Sequence, residues 1–118
     1  MPETVELDRK AGVIRVRSFD DVSIEMMRST VAESLTIAKR EKVKKVLVDA
    51  TDLRALPGTL DLFHFAAGLP IDLKFAVVLP KPLVEKAKFA ENVALNRARR
   101  FRVFGTVEDA EKWLLQRD

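Results

Sequence analysis

At 118 residues with 47% hydrophobic side chains, the chain has the length of one domain and enough apolar material for a core without staples. It holds no cysteine, which excludes disulfides, thiolate metal sites and cysteine nucleophiles. Its 21 bases and 18 acids leave a net charge of +3, too small to argue for a nucleic-acid partner. A single domain over residues 1–118 is expected, without linker, repeat or low-complexity segment. The opening Met-Pro-Glu-Thr-Val lacks the basic start and apolar run of a signal peptide. No apolar stretch approaches the ~20 residues that span a bilayer, so integral membrane association is not expected. The absence of cysteine fits a reducing compartment, and a cytoplasmic location is expected.

In chain order, Val5 to Lys10 alternates weakly and Ala11-Gly12 supplies a turn. Val13 to Phe19 sets Ile14 and Val16 against Arg15 and Arg17, the pattern of a strand with one wet face. The two runs predict an opening hairpin. Ser23 is a suitable helix N-cap and Glu25 suits the first turn. Ile24, Met27, Val31, Leu35 and Ala38 recur at helical spacing, which predicts an amphipathic helix to about Arg40. Lys45 to Asp49 is a short apolar run, read as an interior strand buried on both faces. Asp-Ala-Thr-Asp and Pro57-Gly58 follow, so Asp49 to Thr59 is predicted as a loop at that strand's C-terminal end. In open α/β sheets this edge is where ligands and partners bind.

Thr59 to Ala67 predicts a second helix, stopped by Gly68 and Pro70. Lys74 to Leu79 is the next interior strand, closed by Pro80. Pro82 fits the first turn of a third helix reaching about Asn96. Arg100 to Phe104 is a last short strand. Thr106-Val-Glu-Asp109 is a capping box of the broad Thr-x-x-Asp form. Behind it, Val107, Ala110, Trp113 and Leu114 form an apolar stripe. The order β-β-α-β-α-β-α-β-α predicts an α/β fold: a mixed sheet with parallel crossovers and an antiparallel opening strand, covered by helices.

Charge is unevenly placed. Lys74 to Arg102 holds eight bases against two acids, and Lys39 to Lys45 five bases against one. Both runs fall near predicted helix C-termini, where cations complement the dipole, and that reading is preferred over a patch for an anionic partner. His64, the only histidine, lies mid-helix among apolar residues and reads as a half-buried packing residue. No Gly-x-Ser-x-Gly elbow, P-loop or Gly-x-Gly-x-x-Gly is present, so catalytic residues and cofactors are not expected. Asp49, Asp52 and Asp61 could in principle meet as a hard-cation site, but no motif fixes their geometry and no metal is expected. Asn92 and Asn96, one helical turn apart, share a face and with Arg97 form a candidate polar contact. Leu60, Phe63, Phe65, Leu69, Phe75 and Phe89 read mainly as core. They are also the residues that would line an apolar pocket.

The run Phe89-x-Glu-Asn-x-Ala-x-Asn-Arg, followed by Arg-Val-Phe-Gly-x-x-Glu-x-Ala-x-x-Trp-Leu114, resembles the short STAS-like (SpoIIAA-like) bacterial proteins, relatives of the anti-sigma-factor antagonists. The resemblance spans about Val13 to Leu115. That group's fold is also similar to lipid-binding CRAL-TRIO domains. Two departures stand out. Members tend to carry Gly after Asn-Arg, where this chain has Ala98; a left-handed backbone there costs Ala about 1 kcal/mol relative to Gly. Antagonists also carry Asp-Ser-Ser-Gly at the next helix start, its second Ser being phosphorylated. An ungapped count from Asp49 lays Pro57-Gly58-Thr59-Leu60 over that motif, with Thr59 at the acceptor position but without matching flanks.

The resemblance implies a non-enzymatic, cytoplasmic regulatory module that works through a protein partner, as a homodimer. Asp49, Asp52, Gly58 and Thr59 are its candidate switch or partner-binding residues. The alternative it implies is a carrier or sensor of a small apolar or lipid-like ligand. A cavity of a few hundred Å³ under the second helix would favour that alternative.

Overall fold

The computed structural model describes residues 3–116. The elements are β1 (Glu3–Asp8), β2 (Val13–Asp21), α1 (Ile24–Glu41), β3 (Lys45–Ala55), α2 (Thr59–Ala67), β4 (Lys74–Val78), α3 (Lys81–Asn96), β5 (Arg100–Phe104) and α4 (Val107–Leu114). This is the order read from the sequence. The strands lie in one sheet in chain order, β1 antiparallel to β2 and the others parallel. Gly12 turns the hairpin at φ 68°, where a glycine sits without steric cost.

Helix boundaries follow local chemistry. Ser23 Oγ accepts from the Met26 N–H at 3.2 Å and starts α1. Lys39 and Arg40 lie in its last turn, and Lys42 closes it in a left-handed conformation. Pro82 opens α3. Thr106 Oγ1 accepts from the Asp109 N–H at 3.2 Å and starts α4. Ala98, beyond α3, has φ 59°. The position thus adopts the left-handed backbone that its alignment with a glycine suggests.

The register builds rows across the sheet. Ile14, Val46, Phe75 and Phe101 are one row; Val16, Val48, Val77 and Val103 are the next. These rows face α1, α2 and α3 and carry the main core. The opposite face is smaller. There Val13, Leu47, Ala76 and Val78 pack with Ala110 and Leu114 of α4. Successive strand residues alternate between the two faces, so a residue's parity decides which set of helices it meets.

Candidate functional site

The segment predicted as a loop from Asp49 to Thr59 is mostly strand. β3 runs on to Ala55, and only residues 56–58 are irregular. The turn chemistry of Asp-Ala-Thr-Asp is overridden by pairing with β2, which continues as Phe19 beside Asp52, Asp20 beside Leu53 and Asp21 beside Ala55. Two ion pairs follow that ladder. Arg17 meets Asp52 at 2.7 Å and Arg54 meets Asp21 at 3.2 Å. Leu53 is buried, which fixes the strand's facing. β4 accompanies β3 only as far as Asp49 beside Val78.

Alternation then separates the candidate residues. Val48 and Ala50 line the space under α2, so Asp49 between them points to the α4 side. Its Oδ1 accepts from the Thr51 N–H at 3.2 Å and the Thr51 hydroxyl at 2.8 Å. Asp52, bonded to Arg17, lies on that side as well. Gly58 and Thr59 instead open α2, over the opposite face. Asp49 and Asp52 therefore do not share one site with Thr59. Among the described residues no three acidic or histidine side chains come together to hold a metal.

The start of α2 has its own geometry. Gly58 is the N-cap and offers no side-chain acceptor, unlike Ser23 and Thr106. Thr59 is the first helical residue and is exposed, with exposed Asp61 in the same turn. Leu60 beside it is 69% exposed, which corrects its assignment to the core. His64 is likewise exposed, stacked edge-on to Phe63 at 5.4 Å, and not a half-buried packing residue. Asn92, Asn96 and Arg97 are all exposed. Arg97 caps α3 with its backbone and lays its guanidinium 5.3 Å from the centre of the Phe63 ring.

Three tertiary roles escaped the sequence reading. Lys74 is only 3% exposed, and its Nζ donates to the Trp113 carbonyl at 2.8 Å while lying over the Trp113 ring at 4.5 Å. Burial lowers its pKa, helped by Lys45 and Arg100 in the same row of the sheet. Arg99 Nε donates to the Leu69 carbonyl at 2.7 Å, tying the end of α2 to the end of α3. Glu91 accepts from the Val103 N–H at 2.8 Å and closes part of the β5 edge. Two of the eight bases from Lys74 to Arg102, Lys74 and Arg99, are thus engaged inside the fold, while Lys81, Lys86, Arg97 and Arg102 are exposed. None of these roles has a local signal, since each partner is distant in sequence.

Between the sheet and α1, α2 and α3 lies a cavity of about 90 Å³, walled almost wholly by apolar side chains. Leu62, Phe65 and Leu69 form its α2 side. Glu3 is its acidic contributor, and both of its carboxylate oxygens are bonded, one by the Ser18 hydroxyl and one by the Thr30 hydroxyl.

No family model matches the chain, and neither does any curated protein. Solved structures do. An anti-sigma factor antagonist from Mycobacterium paratuberculosis superposes with a TM-score of 0.64 at 16% identity, covering 97% of this chain and 95% of that one. An uncharacterised protein with a SpoIIAA-like fold from Shewanella loihica gives 0.59 at 18% identity, covering 95% of this chain and 93% of its own. The likeness to CRAL-TRIO domains draws no support from these two. With its hairpin-led, five-stranded mixed sheet and four helices, the chain has the STAS-like, SpoIIAA-like fold.

Proposed function

We propose that the protein is a non-enzymatic regulatory module that binds a protein partner through the start of α2, with Thr59 as its switch. The observation that carries this reading is the exposed Thr59 hydroxyl on the first residue of a helix whose N-cap has no side-chain acceptor. A phosphoryl group there would meet first-turn N–H groups and the positive end of the helix dipole. It would add about −1.5 to −2 charges next to Asp61. Asp52, on the other face, would take no direct part. The fold is that of a protein described as an anti-sigma factor antagonist, which supports an interaction role at the level of architecture. A homodimer and a cytoplasmic location belong to the same reading. Exposed Leu60, Ile71 and Leu95 offer apolar surface for association. Among the described residues no helix is long and apolar enough to cross a membrane.

The lipid-carrier alternative is weaker. Pockets for drug-sized ligands hold roughly 300–1,000 Å³, and the cavity holds about 90 Å³. Wild type, Thr59→Ala and Thr59→Glu serve as baits in the native host, with captured proteins quantified by mass spectrometry. A partner held by wild type and Thr59→Ala and lost with Thr59→Glu supports the reading. Equal capture by all three reduces Thr59 to a helix-start residue.

A further inference from the structure

Val13, Lys45, Lys74 and Arg100 form a row across the N-terminal edge of the four parallel strands. The hairpin turn and the loops after α1, α2 and α3 feed this row, so they gather at one end of the molecule. Arg9 meets Glu41 there, and Arg99 meets the Leu69 carbonyl. The end of α4 joins them, because the Lys74 Nζ donates to the Trp113 and Gln116 carbonyls. Residues 8–12, 39–45, 68–74 and 97–100 hold eleven bases against three acids, and the rest of the chain ten bases against fifteen acids. A net charge of only +3 thus conceals one strongly basic end.

Helix dipoles alone do not account for that end. Four helices finish here, each with a carbonyl terminus worth about half an elementary negative charge, and the surplus of bases is several times larger. Arg9 and Lys10 lie in the hairpin turn and Lys44 in a loop, on no helix. Lys10, Lys39, Lys42, Lys44 and Arg97 are exposed. Apolar side chains stand among them. Four large apolar side chains are exposed among the described residues, and three belong to this end: Ile71 at 57%, Leu95 at 56% and Leu115 at 52%. Ile71 follows α2 and Leu95 ends α3, while Leu115 follows α4, so aliphatic groups flank the strand edge on both sides.

Bases interleaved with aliphatic side chains fit a bilayer surface with anionic headgroups. The charges meet phosphates there, and the aliphatic groups enter the interface. A nucleic acid would use the charges but not the aliphatic groups, since single strands are held by stacking on aromatic side chains. A second copy placed symmetrically on this end would bring like charges together. We propose that the N-terminal edge of the sheet is a peripheral docking surface for an anionic lipid bilayer, with Ile71, Leu95 and Leu115 reaching into the headgroup layer. This goes beyond the Thr59 reading and does not depend on it, because α2 starts at the opposite edge of the sheet.

The test is co-sedimentation of the full chain with vesicles of equimolar phosphatidylcholine and phosphatidylglycerol, and with vesicles of phosphatidylcholine alone. The anionic vesicles should capture the protein, less so as salt rises, and the neutral ones should not. Lys10→Gln, Lys39→Gln and Lys44→Gln combined should weaken capture about a hundredfold, at roughly a fivefold loss per charge. Arg28→Gln, Arg54→Gln and Lys81→Gln combined remove the same charge away from this edge and should leave capture unchanged. Ile71→Gln with Leu95→Gln should weaken capture about tenfold with every base in place. All eight substituted side chains are exposed, so each variant keeps the fold. Failure of the anionic vesicles to capture wild type would overturn the proposal, as would equal capture by neutral vesicles. So would equal losses in the two charge variants, or full capture of the Ile71→Gln, Leu95→Gln protein. Tighter binding to a short DNA duplex than to the anionic vesicles would overturn it in favour of a nucleic acid.

Discussion

Helix α4, eight residues long, is bonded at both ends: Thr106 caps its start, and Lys74 donates to the Trp113 carbonyl at its finish. Ala110 and Leu114 are 0% and 1% exposed against the sheet. Helix α2, nine residues long, starts on Gly58 without a side-chain cap and leaves Leu60 in solvent. It packs on α1 and α3, with a cavity between it and the sheet. The two helices close opposite faces of one sheet. One face is filled and pinned; the other keeps space under a loosely started helix. In such a fold, a change of state costs least at α2, because fewer packed contacts and fewer capping bonds oppose it.

The largest predicted effect tests the filled face. Leu114→Ala should cost about 3 kcal/mol and lower Tm by about 10 °C. Trp113→Ala should be of similar size, although the ring is only half-buried, because it also removes contacts with Phe104 and Lys74. Leu62→Ala in α2 should cost about half as much, since the side chain already borders empty space and gives up fewer contacts. Thermal melts of the three variants check this. Equal losses for Leu62 and Leu114 would erase the contrast between the faces.

A smaller effect lies outside both helices. Ala98 sits at φ 59°, so Ala98→Gly should stabilise the fold by about 1 kcal/mol. The gain should appear in urea unfolding with an unchanged m-value. A loss on substitution would show that the left-handed turn costs Ala98 less than glycine's extra freedom in the unfolded chain.

The pH response should be smaller still and arise at a third place. The Ala11 N–H, then Arg15, holds the Asp8 carboxyl below its ordinary 3.8; Arg9, then Arg40, holds Glu41 below 4.5. Both folded values are depressed, so their contributions are complete above those ordinary values and are lost as pH falls through the folded ones. Stability should therefore decline on the acid side, and Asp8→Asn with Glu41→Gln should flatten that decline. Urea midpoints from about pH 6 to about pH 3 measure it. The difference between Leu62→Ala and Leu114→Ala should survive in that background, because the two substitutions remove charge and leave the packing of Val13 on Ala110 and Leu114 in place.

Much of this architecture was legible locally. Ser23 and Thr106 announce their helices by side-chain chemistry, and Pro82 announces a third. The heavily apolar strands announce a sheet covered on both faces. The candidate site was less legible because its parts are settled by pairing at a distance. Asp49-Ala-Thr-Asp52 has turn composition, yet β2 holds it extended through Arg17 and the burial of Leu53. That single difference moves Asp49 and Asp52 to the face opposite Thr59. Glu3 gave no local sign of its role, since its hydroxyl partners come from β2 and α1. Lys74 reads as an ordinary strand-edge cation until α4 is docked over it.

The most direct test of the difference between α2 and α4 is residue-resolved amide hydrogen exchange on the intact chain. Amides of Phe63 to Ala67 should exchange through local opening, at least about tenfold faster than those of Ala110 to Leu114 after correction for intrinsic rates. Equal protection in the two helices, or faster opening of α4, would contradict the account that α2 is the adjustable side of this fold.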